Sequence, residues 1–235
     1  MEREFCKSNR PIYFLLLIVF LTSCNKEIAD LNECVMPEAQ IEQSALQADN
    51  PEQEPPKVCL LPKANPEANL LINFNLQDFP VDREEKMLRA IERLMIIVNS
   101  EEFRQRVLDH EYNGERTFVD NDGLSNEEIY LKIMEGAEKL SPEVDGEIDI
   151  DVTLYYKNNS TVGYTYPDVA RIWVNDKFFA TNSLGKVAAN LLHEWTHKIG
   201  FGHDFSSTAS RPYSVPYGVG TIVKELVDGM TPSSL

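Results

Sequence analysis

His193-Glu194-Trp195-Thr196-His197-Lys198-Ile199-Gly200-Phe201-Gly202-His203 is the stretch on which the reading of this chain turns. Of the 4 histidines in the 235-residue sequence, three fall inside it. Residues four apart share one face of an α-helix, so on a helix His193 and His197 aim both imidazoles at one point. Glu194 belongs to the same turn and reaches a water held there. Gly200 adopts positive φ freely, so the chain can leave the helix sharply and bring His203 back to the other two. Three imidazoles with one position left open are the donor set of a catalytic metal site, not of a closed structural one. Upstream, Val187, Ala188, Leu191 and Leu192 recur at helical spacing behind Thr181-Asn182-Ser183, a good cap. The helix that carries the motif therefore starts near Ser183.

These eleven residues resemble the long H-E-x-x-H-x-x-G-x-x-H motif of the metzincin clan of zinc metallopeptidases. The resemblance implies an α+β, zincin-like metalloprotease domain. Such a domain has a twisted mixed sheet packed with helices, an active-site helix, and a short C-terminal subdomain ending in a helix. It makes His193, His197 and His203 the ligands of a Zn2+ cofactor, and Glu194 the general base and acid. It also implies an exposed edge strand just before the active-site helix, which takes extended peptide or protein as an added antiparallel strand. Arg171-Ile172-Trp173-Val174-Asn175 stands at that place in the chain. Metzincins further have a Met-bearing turn beneath the zinc. Ser214-Val215-Pro216-Tyr217 resembles the astacin form of that turn with one residue missing and no Met, and helical spacing follows it from Val219 to Val227. Met230 is the competing candidate, but too few residues follow it for a helix. The resemblance makes Tyr217 a transition-state stabiliser, a phenol donor at the developing oxyanion. Asp204 either orients an imidazole or caps a turn.

The other end of the chain speaks of location. Arg3, Lys7 and Arg10 precede an apolar run from Ile12 to Phe20, which is too short to span a bilayer and reads as a signal peptide over 1–23. Leu21-Thr22-Ser23-Cys24 resembles a bacterial lipobox, which implies lipidation of Cys24 and a membrane-anchored lipoprotein of the cell envelope. Lys26-Glu27 resembles a charged tether that sends some bacterial lipoproteins to the cell surface. Residues 24–69 are poor in hydrophobic residues and carry Pro51, Pro55, Pro56, Pro62 and Pro66, a flexible tether by composition. Cys34 and Cys59 remain as a pair in an oxidising compartment, either disulfide-bonded or free. Pro56 to Pro62 also resembles the propeptide thiol segment of matrix metalloproteinases, with Cys59 as the capping thiol.

Residues 70–235 are long enough for one domain with a sizeable core. Leu70 to Leu76 and Ile148 to Leu154 read as strands. Asp82 opens a first helix through Met87, Ile91, Leu94 and Val98. Ser100 opens a second through Phe103 and Leu108. Ser125 opens a third with Ile129, Ile133, Ala137 and Leu140. Asp120-Asn121-Asp122-Gly123 does not fit a calcium-loop template and reads as a polar turn, and His110 as a surface histidine. The formal net charge of −16 excludes nucleic acid as a partner and disfavours anionic headgroups. The expected protein is thus a monomeric zinc-dependent metalloendopeptidase held by a lipid anchor. A catalytically silent zinc-containing binding protein and a zinc amidase acting on a non-protein envelope amide stay open.

Overall fold

A computed structural model of the chain describes residues 59–230. The expected signal segment, Cys24, Cys34 and most of the expected tether lie outside the described residues.

The fold is α+β. Among the described residues four strands form one mixed sheet in the spatial order β1 (Leu71–Gln77), β2 (Glu147–Tyr155), β4 (Arg171–Asn175), β3 (Gly163–Thr165). The first three run parallel, with Ile72 opposite Ile148 and Val152 opposite Ile172, and β3 is antiparallel to β4. Ile148, Ile150, Val152 and Leu154 alternate along β2 and are all buried, as the strand reading of that stretch expected. Arg171 to Asn175 was expected to be the exposed edge. It is instead β4, paired on both sides, and the antiparallel edge beside the helical layer is β3.

Six α-helices complete the fold: α1 (Val81–Val98), α2 (Glu101–Leu108), α3 (Asn126–Glu135), α4 (Asp176–Phe179), α5 (Leu184–Lys198) and α6 (Val215–Asp228). In α1 the apolar stripe Met87, Ala90, Ile91, Leu94, Ile97 and Val98 is buried. Its N-cap is Pro80, not Asp82, which lies in the first turn. Arg83 and Glu84 donate their backbone N–H groups to the Pro80 carbonyl. Ser100 caps α2 by accepting from the Phe103 N–H, and Ser125 with Glu128 forms a reciprocal capping box on α3. Helix α3 stops at Glu135, short of the expected Leu140, because Gly136 takes a left-handed φ of 70° and the chain presses there against the backbone of Glu147.

The expected tether is also shorter than 69. Residues 59–69 lie on the domain: Glu101 N–H donates to the Lys63 carbonyl, Asn65 N–H to the Asn99 carbonyl, and Asn65 Nδ2 to Tyr130 Oη at 3.2 Å. Cys59 is buried and disulfide-bonded, so its sulfur is no thiolate for a metal. No helix among the described residues is long and apolar enough to cross a membrane.

The core centres on α5, which packs on α6 and α1. Its Val187, Ala188, Leu191, Leu192 and Trp195 are buried, facing Val219, Ile222 and Val223 of the buried face of α6. The Trp195 indole N–H donates to Glu138 Oε1 at 2.5 Å, which satisfies the one polar atom of that large buried side chain. Gly220 sits where a Cβ would meet Ala189 O at 3.2 Å and His193 Cβ at 3.6 Å, so a small residue brings α6 close beneath the histidines.

Candidate metal centre

Helix α5 begins at Ser183, whose side chain accepts from the Lys186 N–H at 3.2 Å, as its sequence implied. Its last turn presents His193 and His197, with ring centroids 5.1 Å apart. The helix then closes on Gly200, which has a φ of 110°. The Gly200 N–H donates to the His197 carbonyl and the Phe201 N–H to the Thr196 carbonyl. That pair of bonds is the Schellman pattern with Gly200 at the C′ position. The returning chain places the His203 ring 5.2 Å from that of His193 and 5.0 Å from that of His197. One ligand atom from each of the three lies within 4.8 Å of the others, close enough to hold one metal ion.

The rings are also oriented. His197 Nδ1 lies 2.7 Å from the Phe201 carbonyl, and His203 Nδ1 lies 3.0 Å from the Asp204 carbonyl. The Pro216 carbonyl near the third ring, His193, favours its proton in small part. A carbonyl only accepts, so in His197 and His203 it is Nδ1 that carries a proton and Nε2 that is available to a metal. Each of the three rings contributes one nitrogen to the group that could hold a metal. Burial first, then the His197 and His203 charges, push the pKa of His193 down to about 3, and burial lowers that of His197. The three-imidazole donor set fits a divalent metal of the kind that histidine binds. The Asp204 carboxylate touches no histidine. It accepts from the Ser206 N–H at 2.9 Å and caps a turn.

Glu194 is 5 % exposed. Burial raises its pKa to about 7, opposed by the hydrogen bond from Asn190 and by Lys198. Asn190 Nδ2 donates to Glu194 Oε1 at 3.3 Å. On the other side of Asn190 runs β3: a Cβ on Gly163 would stand 2.5 Å from Asn190 Oδ1, so a larger residue there would have to shift the amide that bonds Glu194. Lys198, buried at the end of α5, donates from Nζ to Thr165 Oγ1 and to the carbonyls of Val169 and Arg171. This fastens the β3–β4 connection to the histidine helix. Sequence reading passed over Gly163, Asn190 and Lys198, since neither a glycine in a three-residue strand nor an Asn one turn before a histidine carries a local signal.

The segment expected to form a turn beneath the metal is the start of a helix. Ser214 is the N-cap of α6, and Val215, Pro216 and Tyr217 are its first three residues, not a loop before it. Pro216 favours this by fixing φ at a position where a helix needs no N–H. The Tyr217 ring lies 4.5 Å from that of His193 and 4.8 Å from that of His203. Arg211, in a 3-10 turn (Arg211–Tyr213), donates from Nη2 to Tyr217 Oη and places its guanidinium 4.7 Å from the Tyr217 ring centre. Met230 follows the far end of α6, about 20 Å along the helix from Tyr217, and takes no part in the site. His110, read as a surface residue, is half-buried and stacks on Phe118 at 3.8 Å, close to Gly218 of α6.

The fold and site define an α+β protein with a three-histidine cluster able to hold a metal. No protein-family model matches the chain, and no curated protein matches it.

Proposed function

We propose that the chain is a zinc-dependent metalloendopeptidase of metzincin type, in which the described residues form the catalytic domain. The observation that carries this reading is the trio of imidazoles with ligand atoms within 4.8 Å of one another, two of them anchored on backbone carbonyls, with Glu194 buried next to the first of them. Zinc held there supplies Lewis acidity, which acidifies a water and polarises the scissile carbonyl. Glu194 takes the proton of the attacking water and hands it to the leaving amine. A carboxyl with a pKa near 7 is matched to both transfers near neutral pH. Asn190 holds Glu194 Oε1 and leaves Oε2 for that proton. Tyr217, against two of the histidines, offers a phenol to the developing oxyanion. Strand β3 offers an extended substrate a free edge beside Glu194. The segment ending in Cys24, which resembles a lipobox, supports a lipid-anchored placement on the bacterial envelope.

The test compares the purified protein with its Glu194→Ala variant on a diverse peptide mixture, with products read by mass spectrometry and metal content by elemental analysis. The parent should cut and the variant should bind equal zinc and cut nothing. Cleavage by a zinc-loaded variant sinks the role of Glu194. An inert zinc-loaded parent moves the reading to a silent binding protein or to an amidase, which purified peptidoglycan separates.

A further inference from the structure

We propose that Arg211 is a carboxylate receptor on the rim of the metal centre, taking a carboxylate of the bound substrate next to the cleaved bond; this rests on the peptidase reading. A guanidinium has five donors in a planar fork that matches a carboxylate. The described bonds of Arg211 leave most of that capacity unused. Nη2 donates to Tyr217 Oη, Nη1 stands a long 3.5 Å from the Phe205 carbonyl, and Nε is buried with no partner. No carboxylate among the described residues pairs with it, whereas Arg83, Arg106 and Arg116 each have one. Arg104 and Arg171, also half-buried, likewise have no carboxylate among the described residues, and Arg211 differs from them in standing over a ring that touches two of the histidines.

Its place gives the charge a use. The Tyr217 ring that it covers is in contact with the rings of His193 and His203. On the same rim Phe205 is 94 % exposed, with its ring 6.1 Å from that of His203. Arg211 is therefore about one aromatic ring from the metal ligands, on the same rim as Phe205. A substrate carboxylate there completes the pairing that the fold withholds. It has two chemical sources, an acidic side chain beside the scissile bond or the free C-terminus of the peptide. A charge-assisted bond in a half-buried place favours the carboxylate by about tenfold or more.

Zinc-loaded Glu194→Ala protein allows binding to be read without turnover. Three fluorescent peptides of one sequence are titrated by anisotropy: one with a glutamate and an amidated end, one neutral with a free carboxylate end, one neutral and amidated. One of the first two should bind about tenfold tighter than the third, and which one does so identifies the source. Adding Arg211→Gln should erase the difference, and Arg211→Lys, which keeps the charge and loses the fork, should keep part of it. Three equal affinities, or a preference that survives Arg211→Gln, overturn the proposal. The parent comparison decides alone if the Gln variant does not fold. The active parent is then offered the same peptides. Cutting with a flat affinity series removes Arg211 and leaves the peptidase. A carboxylate preference lost with Arg211→Gln, but with no cutting, keeps the receptor and removes the peptidase.

Discussion

Gly200 shows how much of the metal centre hangs on one backbone angle. Its φ of 110° is closed to side-chain-bearing residues, and it sets both bonds that end α5. The same turn fixes the Phe201 carbonyl, which orients His197, and the return of the chain to His203. Gly200→Ala should therefore cost about 1–3 kcal/mol of stability, the scale of a strained backbone conformation. It should also weaken zinc binding more than an equally destabilising change far from the site. Chemical unfolding and a competitive zinc titration check this, and unchanged zinc affinity in a destabilised variant would refute it. The role of Gly200 is legible in the sequence because its spacing from the histidines leaves the chain one way to turn. Arg211 is not, since its meaning lies in its place over Tyr217 beside the histidines, which only tertiary structure sets.

At the scale of elements, the pairing of strands decides where a substrate lies. The resemblance puts the edge at β4, because that segment stands just before the histidine helix, and Gly163 to Thr165 is too short to announce itself as a strand by alternation. An edge is defined by the partner it lacks, and no local pattern carries that. The end of α3 escapes for a similar reason: the apolar spacing continues past Gly136, but the approach of β2 at Glu147 stops the helix. Gly163 joins β3 to α5 through the space beside Asn190. Gly163→Ala should push Asn190 off Glu194 or lift the strand, lowering kcat/KM on peptides by about tenfold or more, since small displacements near the reacting groups are costly. Zinc content should not change, because the Asn190 side chain bonds Glu194 and, among the described residues, no histidine ring. Full activity in this variant would mean that β3 does not guide the substrate.

For the whole molecule, the same groups that make the site also tax the fold. Glu194 is a carboxyl whose folded pKa is raised from 4.5 to about 7, chiefly by burial. Below about pH 4.5 it is protonated both folded and unfolded and carries no penalty. As pH rises from there, the unfolded chain ionises first while the folded chain holds the proton, so stability falls until the folded group has also ionised, just above pH 7. The full loss is about 3 kcal/mol at most. The buried histidines act with the opposite sign: His193, lowered to about 3, adds stability that is present above about pH 6.5 and lost as pH falls toward 3. Subtracting one variant from the parent isolates the carboxyl. With metal removed by a chelator, Glu194→Gln should be more stable than the parent at pH 8, the gap closing as pH falls through 7 and vanishing near pH 4.5. Urea unfolding of both proteins from pH 5 to pH 8 measures it. A gap independent of pH would show that Glu194 is not held protonated by its burial, and would remove the proton store on which its role in the proposed chemistry depends. A gap that follows this course would place catalysis and stability in opposition at one residue, the pattern expected where a fold gives up stability for a working group.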